Sequence, residues 1–308
     1  MKQTAAYLFL LAVVCCSKIS AQQDPMYSMY MFDRALINPA FAGSSDWVVG
    51  TVKYRDQNNA MTGHPSTQTF NFHAPLQKQH LGLGLKVVQD RVAVISSLNA
   101  AVQISYHLQM GGGKLSLGLE GGIFNRRMDY QKLILSSRGD NVIPSSATTV
   151  MVPDAAVGIY YQKKQFYLGL ADYHLVNKGF QADPAALLRQ RAQLYLIAGN
   201  VFEFNRRWSL EPSVLLKYRD ASAMQADVNM MLYYDEIVGA GIQYRSGDAL
   251  VGVLRVFVTE KLRIAYAYDK TISKMSPYAG ATHEIILSYG IRLLPPARQK
   301  EIHPRYYF

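Results

Sequence analysis

Residues 237–292 read IVGAGIQYRSGDALVGVLRVFVTEKLRIAYAYDKTISKMSPYAGATHEIILSYGIR. From Val238 to Arg245 the even positions Val238, Ala240, Ile242 and Tyr244 are apolar or aromatic, while Gly239, Gly241, Gln243 and Arg245 are small or polar. Leu262, Ile264, Tyr266 and Tyr268 repeat the beat against Arg263, Ala265, Ala267 and Asp269. Ile285, Leu287, Tyr289, Ile291 and Leu293 repeat it against Glu284, Ser288, Gly290 and Arg292. A period of two sends alternate side chains to opposite faces of a strand, so each segment has one apolar and one polar face. A soluble antiparallel sheet over a core accepts that pattern, and so does a barrel in lipid with its polar face turned inward.

The connections decide between them. Strands are predicted near 46–54, 66–74, 80–89, 95–109, 113–126, 154–163, 165–174, 191–203, 207–218, 224–234, 237–245, 249–258, 261–269 and 282–293. The links between them alternate in length. Asp56–Pro65, Met128–Pro153, His174–Gln190 and Lys270–Ala281 are long, and Asp90–Val94 is middling. Gly111–Gly113, Lys163-Lys164, Asn205-Arg206, Asp235-Glu236 and Thr259-Glu260 are tight. If the chain enters from the periplasm, nearly every tight turn lies on that side and every long loop outside; Ser246–Asp248 is the exception. A soluble sandwich has no reason to sort its loops by parity, and no clear amphipathic helix is present to cover a sheet face. The expected fold is therefore all-β, a transmembrane antiparallel up-and-down β-barrel of about fourteen strands preceded by an N-terminal non-barrel segment.

The chain start reads as a cleaved export signal. Lys2 precedes an apolar run from Ala5 to Cys16, too short to span a bilayer, and a small residue marks a cut after Ala21. Both cysteines, Cys15 and Cys16, fall inside that signal, so no structural disulfide is expected in the exported product. Lipidation of one of them is the weaker reading, because Val13 and Val14 stand where small residues are wanted. The expected division is 1–21 signal, 22–45 periplasmic or plug segment, 46–294 barrel and 295–308 periplasmic tail. Within 22–45, Tyr27, Tyr30, Met31, Phe32 and Phe41 are too apolar for a solvated linker, so the segment is tucked against something apolar.

The formal net charge is +10. The Lys and Arg residues are scattered one or two per strand or turn, which reads as lumen and rim charge facing outer-membrane lipid rather than nucleic acid. Lys86, Glu120, Arg245, Arg263, Asp269, Glu284 and Arg292 fall on the lumen face. They form either a network that neutralises itself or a selectivity lining, and the generic polarity of barrel interiors favours the first. The seven histidines show no metal-type spacing and no nucleophile is held by an oriented base. No metal, cofactor or enzymatic activity is expected.

A family resemblance enters at the segment before the first strand. Gln23-Asp24-Pro25, Tyr30-Met31-Phe32 and Asn38-Pro39-Ala40-Phe41-Ala42-Gly43 resemble the mature start of PorP/SprF-type outer-membrane proteins of the type IX secretion system. Tyr54-Arg55, Gly63–Gln68, Pro75-Leu76, Gly82-Leu83-Gly84 and Asp90 resemble the next block. Met29, Asp33-Arg34 and Asp56-Gln57-Asn58 depart from the pattern. The resemblance implies a non-enzymatic accessory of protein secretion at the outer membrane of a Gram-negative bacterium. Its implied partners are periplasmic ring lipoproteins, peptidoglycan-linked secretion components and the C-terminal sorting domain of a secreted adhesin or gliding protein. Tyr30, Met31, Phe32, Asn38, Pro39, Ala40, Phe41 and Gly43 are then a possible partner contact. They either plug or brace the barrel from the periplasmic side or merely pack, with Asn38-Pro39 and Gly43 shaping the turn into the first strand. The alternative function is an outer-membrane transporter or porin for small apolar molecules.

Overall fold

The alternation folds as read. The computed structural model describes residues 25–76, 80–132, 147–178, 192–219 and 224–292; the signal, the tail 295–308 and most of the two longest loops lie outside that set. Strands run as β1 (Trp47–Asp56), β2 (Ser66–Leu76), β3 (Leu81–Val92), β4 (Ile95–Met110), β5 (Gly113–Met128), β6 (Thr148–Lys163) and β7 (Phe166–Tyr173). They continue as β8 (Gln193–Gly199), β9 (Phe202–Glu203), β10 (Trp208–Arg219), β11 (Gln225–Tyr234), β12 (Val238–Arg245), β13 (Ala249–Phe257), β14 (Leu262–Thr271) and β15 (Ala281–Arg292).

Each strand pairs antiparallel with its chain neighbours, and β1 pairs with β15, with Trp47 opposite Arg292 and Asp56 opposite His283. The sheet is closed. β8 and β9 are two pieces of one spanning strand, because both hold the same register on β10. The break between them has a local cause. Asn200 donates to the Pro212 carbonyl at 3.2 Å, but Pro212 has no N–H to return. Fourteen strands therefore close the barrel, and every strand has a partner on both sides, as hydrocarbon demands.

The faces separate cleanly. In β13, Ala249, Val251, Val253, Arg255 and Phe257 are buried while Leu250, Leu254 and Val256 are exposed outward. Exposed aromatic rings gather near both strand ends. Tyr54, Tyr218, Tyr244 and Tyr268 lie toward the long-loop end, and Tyr106, Phe166, Trp208, Tyr234 and Tyr289 toward the tight-turn end. These are the two interfacial girdles of a lipid-embedded barrel; the short turns at one end and longer loops at the other mark the loop end as the outside. Among the described residues no helix is long and apolar enough to cross a membrane; the chain crosses with strands.

Two connections differ from the sequence reading. The middling loop Asp90–Val94 is a turn at Ala93-Val94, since β3 continues to Val92 and β4 begins at Ile95, paired with each other. Met128–Pro153 is partly strand. β5 and β6 stay paired up to Met128 opposite Thr148, whereas β6 meets β7 only up to Val157 opposite Asp172. That overhang rises past the lipid-facing zone, so its outer face needs no apolar alternation and the signal fades there.

Ile242 is 71% exposed on the outer face of β12. Ile242→Arg is expected to cost about 2–4 kcal/mol if that face meets the bilayer midplane. Reversible urea unfolding in vesicles measures it, and an unchanged stability contradicts the lipid-facing assignment.

Candidate functional site: a lumen filled by the N-terminal segment

Residues 25–45 occupy the inside of the barrel. The segment folds as three short 3-10 turns, Tyr30–Phe32, Arg34–Leu36 and Pro39–Phe41. The last of these is set by its sequence. The Asn38 side chain accepts from Ala40 N at 2.9 Å, and Pro39 stands at the first helical position, where its missing N–H has no use.

The sequence left open whether the segment plugs or braces the barrel from the periplasmic side or merely packs; in the structure it runs along the lumen from the loop-end half to the turn end. Its start lies in the loop-end half. The backbone N–H groups of Ser28 and Met29 donate to the Glu284 carboxylate at 2.9 and 3.1 Å. Ser28 Oγ donates to Asp269 Oδ2 at 2.7 Å and accepts from Arg55 Nη1 and Arg245 Nη2, both at 2.8 Å. Arg55 bridges Glu284 and Asp269 at 2.8 Å each, and Arg245 reaches Asp269 at 3.1 Å. The physical reason for this placement is charge: these four groups are buried beside one another and their remaining hydrogen-bonding capacity needs polar partners.

Midway, Tyr30 Oη lies 3.2 Å from Ser213 Oγ. Asp33 Oδ1 accepts from Asn71 Nδ2 at 2.6 Å. Arg34 pairs with Glu211 at 2.8 Å, donates to Tyr160 Oη at 3.2 Å and lies 3.7 Å from the Tyr167 ring centroid. Tyr167 and Tyr233 donate to the two oxygens of the same Glu211 at 3.0 and 2.7 Å. Met29, Asp33 and Arg34, which depart from the family pattern, all touch or pack inside this chain's own barrel.

At the turn end the wall is cut to fit. Asn38 Nδ2 donates to the carbonyls of Ile159 and Leu170, 3.0 and 3.2 Å away. A Cβ on Gly158 would collide with the Asn38 side chain, and one on Gly118 with the Pro39–Ala40 backbone. Ser105 Oγ donates to the Ala42 carbonyl at 2.5 Å. Gly43 turns the chain at φ +60, a left-handed conformation, hard against Gly82 Cα and the Ala74 carbonyl. Phe41 meets Tyr160 and His73 edge-on with centroids 5.3 and 5.9 Å apart.

Tyr30, Met31, Phe32, Asn38, Pro39, Ala40, Phe41 and Gly43 are thus all buried against the barrel wall. Of the charges read from the sequence, Arg245, Asp269 and Glu284 converge on Ser28, and Lys86 pairs with Glu120. Arg263 donates to the Phe32 carbonyl at 2.6 Å and to Ser288 Oγ at 3.0 Å. Arg292 is not in the lumen: it sits half-buried at the turn-end rim, 3.7 Å from Asp46, because the alternation reaches the mouth there. Sequence reasoning passed over Lys53, Arg55, Glu211, Lys217, Asp227 and Arg255. All share the inward parity of their strands, which was the available signal. Arg34 carried no such signal.

Beside the segment, toward the loop end, remains a cavity of ≈ 70 Å³ lined by residues that include Tyr27, Lys86, Asn99, Phe124, Tyr173 and His174. Among the described residues no group of three His, Cys, Asp or Glu is placed to hold a metal ion.

Three solved structures of outer-membrane proteins are similar to this chain. Acinetobacter baumannii outer membrane protein Omp33 is 10% identical, with a TM-score of 0.45, covering 80% of this chain and 97% of its own. The Pseudomonas putida toluene transporter TodX is 11% identical, with a TM-score of 0.48, covering 84% and 93%. The KdgM porin, solved with disordered oligogalacturonate, is 7% identical, with a TM-score of 0.41, covering 79% and 99%. Curated protein sequences gave no match.

Gly118→Val is expected to expel the Pro39–Ala40 turn while leaving the strands paired. Limited proteolysis should then cut within 30–42 in the variant and not in the wild type, both remaining heat-modifiable on gels; equal resistance contradicts the fitted-wall account. Arg34→Ala strands Glu211 and is expected to cost about 3–5 kcal/mol in unfolding free energy, with Arg34→Lys losing less; a cost under ~1 kcal/mol contradicts the pairing.

The profile of a family described as type IX secretion system membrane protein PorP/SprF matches residues 19–289. With the closed, lipid-facing barrel and its fitted N-terminal segment, the chain belongs to the PorP/SprF family and is an outer-membrane component of type IX secretion.

Proposed function

We propose that this barrel is a non-enzymatic accessory of type IX secretion that works through protein contacts at its two ends. At the loop end it engages the C-terminal sorting domain of a secreted adhesin or gliding-type protein and holds it at the surface. At the turn end it meets periplasmic ring lipoproteins and other peptidoglycan-linked components of the machine.

The observation that carries this reading is the occupied lumen. A conduit needs a path, and here the segment 25–45 is pinned from Ser28 to Gly43 by ion pairs, backbone hydrogen bonds and wall glycines. The cavity beside the segment, ≈ 70 Å³, is smaller than the ~150 Å³ apolar cavity that takes benzene. Its lining mixes the charged Lys86, Asp90 and Arg126 with Tyr27, Leu36, Phe124 and Tyr173. These points weigh against the alternative, a transporter for small apolar molecules. They leave the external surfaces as the places where work is done.

Crosslinking in intact outer membranes, followed by affinity capture of this chain, tests the proposal. The expected outcome is recovery of a sorting domain and of ring lipoproteins. Capture of neither, with substrate flux through purified barrel in liposomes, overturns it. In planar bilayers the wild type is expected to be nearly silent and a variant lacking 25–42 to conduct openly; a wild type with steady porin-like conductance favours the transporter.

A further inference from the structure

Among the described residues, fifteen charged side chains are buried in the lumen, eight basic and seven acidic. Arg34, Lys53, Arg55, Lys86, Lys217 and Arg245 each face a buried carboxylate within ion-pair distance. Arg263 is held by the Phe32 carbonyl and Ser288. Arg255 stands apart. It is 2% exposed, and both Nε and Nη2 are buried without a hydrogen-bond acceptor.

What surrounds it is aromatic. The guanidinium carbon lies 4.2, 4.9 and 5.4 Å from the ring centroids of Tyr233, Phe257 and Phe32. Ring faces attract the cation through their quadrupoles, but they do not accept the in-plane N–H groups. Buried donors in folded proteins are nearly always met by an acceptor, so a pair of orphans on one group asks for a ligand.

The two orphans are also the right two. Nε–H and Nη2–H point the same way in the guanidinium plane and form the fork that holds both oxygens of an oxyanion. An acceptor must arrive in that plane, between rings, which suits a flat carboxylate better than a tetrahedral phosphate. Arg255 lies two residues from the turn-end terminus of β13, and Phe257 packs with Val49 and Trp47 at that mouth. The fork therefore lies nearer the periplasmic mouth than the loop end.

We propose that the Nε/Nη2 fork of Arg255 is a carboxylate-binding site at the turn-end mouth of the barrel, taking a small free acid or the terminal carboxylate of a polypeptide. The site does not depend on the secretion partners proposed above.

Thermal unfolding of the purified barrel in detergent tests it, with sodium acetate compared against sodium chloride and inorganic phosphate at equal ionic strength. Acetate is expected to raise the wild-type midpoint by a few °C, on the order set by saturating one site. Arg255→Lys keeps the charge without the fork and is expected to lose most of that rise; Arg255→Gln serves as a second variant should lysine fail to fold. No rise in the wild type beyond chloride, a full rise in Arg255→Lys, or a rise with phosphate matching that with acetate overturns the proposal. Acetyl-trialanine and its C-terminal amide then separate the sources. Competition by the free acid alone points to a chain terminus, competition by neither to a small acid, and competition by the amide equal to the acid overturns the carboxylate reading.

Discussion

Ser28 is where the barrel and its contents depend on each other. Arg55 from β1, Arg245 from β12, Asp269 from β14 and Glu284 from β15 all turn inward on one small patch of wall. With Lys53 beside Glu284 and Asp227 and Asp248 beside Arg245, they form a buried charge cluster with hydrogen-bonding capacity left over. One hydroxyl and two backbone N–H groups meet part of that need, binding Glu284 and Asp269 and accepting from Arg55 and Arg245. A buried cluster of this kind is weak as a source of net stability but strict about geometry, since losing any member leaves the others uncompensated. The segment is therefore specified by polar chemistry at the loop end and by shape at the turn end, where wall glycines admit its backbone.

That arrangement leaves little of the barrel's interior open. A closed sheet of fourteen strands of this size ordinarily has room inside. Here the room is taken by residues of the same chain, and the same stretch reaches from the loop-end knot to Gly43 beside the turn-end strands. Both mouths are touched by one continuous element. The loop-end wall is uneven as well, since β5 and β6 pair far above the point where β6 leaves β7. Shaped ends around a largely filled middle support the binding role proposed above, and the PorP/SprF membership sets the chain in type IX secretion.

The sequence carried the barrel legibly because lipid and lumen impose opposite chemistry on successive residues, so the alternation in Val238–Arg245 or Leu262–Asp269 had to persist. It faded where that opposition stops, as in Thr148–Val152 above the membrane zone, and the strand there was read as loop. The inward charges Lys86, Glu120, Arg245, Asp269 and Glu284 were legible from parity. Their pairing was not, because which strands meet across the lumen depends on closure. Tyr27 to Phe41 was legible as a tucked segment from its rings and methionines, and Asn38-Pro39 as its turn. That it enters at the loop end and travels down the barrel was not written locally: it follows from Glu284 and Asp269, more than 200 residues away, needing Ser28. Arg34 looked like a departure from a family pattern and is the partner of Glu211.

The most direct measurement of this account is amide hydrogen exchange across residues 27–43 in the folded barrel, in detergent or nanodiscs. The filled lumen predicts protection of the Ser28, Met29 and Ala40 amides comparable to that of the central strand amides. Exchange at the rate of an unstructured peptide while the strands stay protected would show the segment outside the barrel, and the account of a plugged, partner-binding protein would fail with it.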